Sequence, residues 1–301
     1  MKKLSVITLF TLILTACGIN NSSDENDELQ IYTSVYPLQY IVEEIGADLV
    51  HSESVIPPGV DAHTYEPTSK EITELADGDA FIYIGAGMEG FAETMANALE
   101  NQAITFLEMG QKESLFQTIT EDDTEQAGDL DPHIWLDPVR MIQMAEIITN
   151  ELNELQPENK DIFLENLSAF TEKMTVLDER FSATLEDNPH DDILVSHAAY
   201  GYWEQRYGVK QIPISGLSSS EEPSQKELTS IAKLADKEDL EYVIFDQTGT
   251  NRIATIIQEH IEAEALYIHN LEVLTEEDIE NDENYLSIMK KNLEQLDKAT
   301  K

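Results

Sequence analysis

One segment limits the folds open to this chain of 301 residues more than any other. Between residues 157 and 187, Phe163, Leu167, Phe170, Met174, Leu177, Phe181 and Leu185 step by three or four, with charged residues between them. That spacing predicts a single amphipathic helix with one continuous apolar stripe. Pro157 suits a first helical turn, and Asn188-Pro189 stops the helix. At 1.5 Å per residue it would be roughly 45 Å long, enough to run the height of two lobes.

On either side of that helix the period changes. Apolar, β-branched runs at 29–35, 50–57, 80–84 and 103–107 alternate with helix-like stretches such as 38–45 and 70–76. The theme restarts at 193–196, 209–214, 242–245 and 265–268, with helices expected at 226–235 and 254–262. Alternation of this kind predicts parallel sheets with helices on their faces. The expected fold is therefore α/β: two lobes of parallel sheet flanked by helices, joined by one long connecting helix. Boundaries follow at 29–156 for the N-terminal lobe, 157–188 for the helix and 189–301 for the C-terminal lobe. Hydrophobic residues make up 41% of the chain, enough for a real core.

Open parallel sheets place ligand groups in the loops after the carboxyl ends of their strands. Three of the seven histidines fall in short, stiff segments of that kind. His63 stands in A-H-T-Y-E-P after the strand ending near Pro57, and His197 stands in S-H-A-A-Y after the run at 193–196. His133 lies in D-P-H-I-W-L-D-P, where prolines on both sides leave the loop little freedom. Neutral imidazole is the commonest side-chain ligand for a borderline metal such as zinc. Stiff loops suit a preformed site, because disordered ligands lose affinity to ordering entropy. His51, His190, His260 and His269 lack such a setting. For a fourth ligand, local patterning alone points to Asp246, which ends the apolar strand at 242–245.

The N-terminus reads as a targeting segment. Met1-Lys2-Lys3 is a charged start, 4–14 is an apolar run, and Leu14-Thr15-Ala16-Cys17 closes it with small residues before a cysteine. The run is too short to span a bilayer, so 1–16 is expected to be a signal peptide. Cys17, the only cysteine, resembles the lipidated residue of a bacterial lipobox, with 17–28 as a polar tether. Two or more acyl chains there suffice for stable anchoring, which places the protein outside the cytoplasm on the cell membrane. With 18 basic against 60 acidic residues the net charge is −42. Nucleic acid and anionic headgroups need a basic surface and are excluded as partners. A field of that sign suits solubility in salty or alkaline surroundings and also draws divalent cations inward.

The three histidine motifs come in the same order as Q-I-P-I-S-G-L at 211–217, E-P-S at 222–224 and N-L-E-V-L-T-E-E-D at 270–278. In that combination the chain resembles the metal-binding lipoproteins of bacterial zinc and manganese ABC importers, in their zinc-type subgroup, over nearly all of 29–296. The resemblance implies a monomeric solute-binding protein with the metal buried between two lobes. Its partners would be a membrane permease and the ATPase that drives import. It points to Glu272 as the fourth ligand, which leaves Asp246 as a residue outside the ligand set or a structural one. Zinc members carry histidine at the position of His197 where many manganese members carry glutamate, so Zn2+ is the expected cargo and Mn2+ (or iron) the alternative. One departure is the acidic stretch 121–129, where zinc members often carry a histidine-rich loop.

A zinc hydrolase needs an open coordination position and a nearby base. The chain has no H-E-x-x-H, and four protein ligands would close the site. Glu66 could act as a base or sit outside the ligand set, but its Tyr-Glu-Pro setting reads as loop structure. No enzyme is expected, and an adhesin-like lipoprotein is a further alternative.

Overall fold

The strand runs assemble into two four-stranded parallel sheets. In this computed structural model, residues 28–116, 130–247 and 252–301 are described. The expected signal peptide, Cys17 with its tether up to residue 27, and the acidic stretch 121–129 lie outside the described residues. Strands β1 (Leu29–Thr33), β2 (Val50–Ser54), β3 (Ala80–Tyr83) and β4 (Thr105–Glu108) pair in the order β2-β1-β3-β4. Strands β5 (Asp192–Val195), β6 (Lys210–Pro213), β7 (Tyr242–Asp246) and β8 (Glu264–Ile268) repeat that order as β6-β5-β7-β8. Each sheet thus reverses its winding beside its first strand, and the carboxyl end of that switch point is where such sheets open a crevice.

Eleven helices clothe the sheets among the described residues. In the first lobe they are α1 (Tyr36–Gly46), α2 (Ser69–Leu75), α3 (Ala92–Ala98) and α4 (Glu113–Phe116). Next come α5 (Pro138–Leu155) and α6 (Lys160–Leu185), the long helix. In the second lobe lie α7 (Gly201–Tyr207), α8 (Gln225–Lys237), α9 (Arg252–His260), α10 (Glu276–Glu280) and α11 (Tyr285–Ala299). None is long and apolar enough to cross a membrane.

The long helix starts three residues later than its periodicity suggests, because Pro157–Asn159 forms a tighter 3-10 turn. Its 26 residues span about 39 Å. Phe163, Phe170, Met174, Leu177, Phe181 and Leu185 are buried as the stripe requires. Two helices absent from the sequence reading share the burial. α5 begins on Asp137, whose side chain accepts from the Val139 N–H, and packs along α6. α11 returns to α6 and β8, and Tyr285 at its start stacks on Tyr40 of α1 with ring centroids 5.5 Å apart.

The main hydrophobic core therefore runs unbroken from Leu29 to Leu296, through both sheets and the α5, α6 and α11 layer. A smaller core under α8 and α9 belongs to the outer side of the second lobe alone. Close-packed interiors resist continuous deformation. Hinging between the lobes must therefore be small on the helical side and freer on the loop side.

Candidate metal centre

Four loops converge where the two sheets face each other. His63 lies between β2 and α2, His133 just before α5, His197 between β5 and α7, and Glu272 between β8 and α10. Among the described residues these four form one cluster whose ligand atoms all lie within 4.8 Å of one another. Glu272 Oε1 is the hub: the Nε2 atoms of His63, His133 and His197 stand 3.7, 3.7 and 3.9 Å from it. All three Nε2 atoms are buried and have no hydrogen-bond partner. Buried polar atoms are nearly always paired, so three orphans around one carboxylate mark a place built for a cation. Four-coordinate zinc with bonds of about 2.0–2.1 Å has ligands about 3.4 Å apart. The three carboxylate-to-imidazole distances exceed that by only a few tenths of an ångström.

Three of the four ligand candidates are aimed by the same local device. Asp61 Oδ1 accepts the His63 N–H at 2.9 Å, Asp131 Oδ1 accepts the His133 N–H at 3.0 Å, and Asn270 Oδ1 accepts the Glu272 N–H at 3.2 Å. An Asp or Asn bonding its own backbone two residues on bends the chain into a tight turn without help from a strand or helix. The signal was legible as D-A-H, D-P-H and N-L-E, although sequence reasoning did not use it. Asp131 does double duty, because its Oδ1 also lies 2.8 Å from His133 Nδ1.

His197 is held differently. Its Nδ1 lies 2.6 Å from Asp246 Oδ2. That carboxylate also receives the Ser196 hydroxyl at 2.6 Å and, on Oδ1, the Tyr200 hydroxyl at 2.6 Å. Asp246 thus stands behind His197 and outside the cluster around Glu272. A carboxylate on Nδ1 fixes the proton there and turns the Nε2 lone pair toward the cavity, the usual support for a metal-binding histidine. Glu66 is exposed, and among the described residues no hydrogen bond or ion pair joins it to the four.

Glu272 follows a buried Leu271 with a φ of +66°, a left-handed conformation that costs a residue with a side chain of order 1–3 kcal/mol. Surrounding bonds hold it there. The Leu271 N–H donates to His269 Nδ1 at 2.9 Å, which leaves the His269 Nε2–H facing Asp278 at 3.1 Å. The Asn270 amide donates to Glu272 Oε1 at 2.9 Å, Trp135 Nε1 donates to the Asn270 carbonyl at 2.7 Å, and the Tyr36 N–H donates to the Glu272 carbonyl at 2.9 Å. His269 is accordingly a buried packing residue that shapes the glutamate turn.

The electrostatics favour exchange of a proton for a cation. Burial holds His63 below the ordinary imidazole range. Burial also acts on His133, but hydrogen bonding to Asp131 and the charge of Glu272 outweigh it and push its pKa up to about 9. His197 is raised too, burial being overcome by Asp246. Burial raises Glu272, yet the three imidazoles prevail and hold it below the usual carboxylate range. At neutral pH the metal-free cluster therefore carries a proton on His133 that a metal must displace. Since the proton is bound in the free state and absent in the complex, affinity rises with pH. Metal titrations are expected to gain about tenfold in affinity between pH 7 and 8, with about one proton released per ion, and the gain should taper toward pH 9.

Comparison with known proteins finds zinc-binding relatives. The family described as "Zinc-uptake complex component A periplasmic" matches residues 31–299. At 31% identity over 313 residues, the chain is similar to the zinc-binding lipoprotein AdcA of Streptococcus pneumoniae, a match covering 100% of this chain and 61% of that protein. It is 27% identical over 304 residues to the high-affinity zinc uptake system protein ZnuA of Bacillus subtilis, covering 97% of this chain and 95% of the relative. The crystal structure of the Zn(II)-bound ZnuA-like domain of Streptococcus pneumoniae AdcA superposes with a TM-score of 0.75 at 30% identity, over 91% of this chain and 99% of that one.

Proposed function

The chain belongs to the zinc-uptake complex component A family, and on that premise we propose that it is an extracytoplasmic receptor that captures one Zn2+ and delivers it to an ABC-type permease. The single observation carrying this reading is the trio of buried, unpartnered Nε2 atoms around Glu272 Oε1. His63, His133, His197 and Glu272 would hold the ion. Three imidazoles and one carboxylate suit tetrahedral zinc, whereas Mn2+ favours oxygen-rich octahedral sets. Four protein ligands leave no position for a reactive water, so the site carries its ion and does not activate a nucleophile.

Asp131 and Asp246 then act from behind the ligands, holding His133 and His197 in the tautomer that presents Nε2. Lipidation at Cys17, with a tether up to residue 28, would keep the receptor beside its permease, and the pneumococcal relative is itself named a lipoprotein. The 29–156 and 189–301 segments would serve as the two jaws on either side of the helix, with the continuous core limiting how far they part.

Metal competition on the purified protein tests the proposal. Equimolar zinc and manganese are offered together, and bound metal is read by mass spectrometry after desalting. The expected result is one zinc per chain and displacement of preloaded manganese. Retention of manganese against equimolar zinc would move the assignment to the manganese branch of the importers.

A further inference from the structure

Of the four clustered residues only His63 has a partly exposed backbone, its side chain being as buried as that of Glu272, so its loop is the part of the site nearest the surface. One side-chain hydrogen bond crosses the lobes there. The Ser219 hydroxyl, on the loop between β6 and α8, donates to Asp61 Oδ2 at 2.6 Å. The other Asp61 oxygen accepts the His63 N–H at 2.9 Å, so the same carboxylate is joined to a ligand residue of the first lobe. On the second lobe, the Ala198 N–H beside His197 donates to the Gly216 carbonyl at 3.0 Å, which ties the Ser219 loop to a ligand of that lobe. Gly216 itself accommodates a close approach, since a side chain there would strike the Glu221 carboxylate. Other crossings are the Trp135 Nε1–H to the Asn270 carbonyl, the Tyr36 N–H to the Glu272 carbonyl, the Tyr202 hydroxyl to the Asp131 carbonyl at 2.7 Å and, on the His63 loop itself, the Gly59 N–H to the Leu274 carbonyl at 2.9 Å.

We propose that Asp61 and Ser219 are positioning residues that latch the His63 loop to the His197 loop and thereby set how fast the bound ion leaves. The inference rests on the zinc-receptor reading above. Opening the mouth requires this bond to break, while the core behind the site stays packed. Neither residue touches the ion, so the latch governs release and leaves the ligand count alone. A docking partner that engaged the Ser219 loop would then have a direct means of unloading the cargo.

Chelator-chase kinetics on zinc-loaded protein test the latch. A hydrogen bond from a hydroxyl to a carboxylate in a half-exposed setting is worth enough for Ser219→Ala to release zinc roughly three- to tenfold faster. Stoichiometry should stay at one ion and association should be unchanged. Ser219→Thr, which keeps the hydroxyl, should restore the slow rate, and Ser219→Ala should add nothing in an Asp61→Ala background. A merely structural serine would lower the melting temperature of the metal-free protein without this rescue pattern. If the wild type holds zinc tightly yet Ser219→Ala releases it at the wild-type rate, the latch is wrong. If the wild type holds no zinc, the receptor reading has failed first.

Discussion

Glu272→Ala is expected to lower zinc affinity by roughly two to three orders of magnitude. Structural zinc sites bind with about 10–16 kcal/mol, so each of four ligands carries on the order of 3–4 kcal/mol. Each 1.4 kcal/mol is tenfold. Glu272 sits at the centre of the cage, with its Oε1 3.7–3.9 Å from all three imidazole nitrogens. It is also the one anion of the four, so its loss leaves a dication with no anionic ligand inside a buried cavity. His197→Ala should lose a similar amount. Asp246→Asn provides the contrast: it alters a group that supports His197 and does not face the ion, so about a 10–100-fold loss is expected. Calorimetric titrations of the three variants rank these outcomes. An Asp246 variant weaker than the Glu272 variant would reverse the ligand assignment.

Arg140→Ala should cost about 3 kcal/mol of folding stability, the lower end of the range for breaking a buried ion pair. Arg140 and Asp137 are both almost fully buried and form an ion pair at the start of α5. The guanidinium also donates from Nε to the Leu115 carbonyl at 2.8 Å and from Nη2 to Gln205 at 3.1 Å, and lies 4.2 Å from the centre of the Tyr202 ring. One side chain thus joins α4, α5 and α7 just beyond the His133 turn. Removal strands the Asp137 carboxylate with the Val139 N–H and the Arg206 guanidinium at 3.9 Å to compensate, hence the lower figure. Arg140→Lys should recover little, because an ammonium cannot reproduce the planar fork or the ring stacking. Urea unfolding is expected to show a lower midpoint at unchanged slope. Zinc added in excess should raise that midpoint in both proteins, since ligand binding to the native state adds stability.

Much of this arrangement is legible in the residues alone, for reasons that can be named. Strands whose two faces are both covered read as short apolar runs, so every strand but β2 falls within two residues of its expected limits; β2, with alternate residues facing outward, stops three residues short of its expected end. The long helix declares itself through a stripe of seven large residues. By contrast, α11 hides because its inward face includes Asn292, which is buried and bonds both the backbone N–H and the carbonyl of His269. A polar residue at a core position breaks the apolar period, although its partners make the burial inexpensive. Local pattern alone points to Asp246, because it ends an apolar strand, although both acids follow apolar strands. What separates them is direction: Asp246 is still in β7 and meets the back of His197, while Glu272 lies beyond β8 after the left-handed Leu271. Backbone handedness at a leucine leaves no trace in composition. The Asx turns at Asp61, Asp131 and Asn270 did leave one, as a repeated spacing of two ahead of His63, His133 and Glu272.

X-ray absorption at the zinc edge on the loaded protein reads the centre most directly. A four-coordinate shell of light atoms at about 2.0–2.1 Å, with multiple scattering from three imidazoles, is the expected result. A shell of five or six ligands, or one with fewer than three imidazoles, would contradict a closed site made of His63, His133, His197 and Glu272.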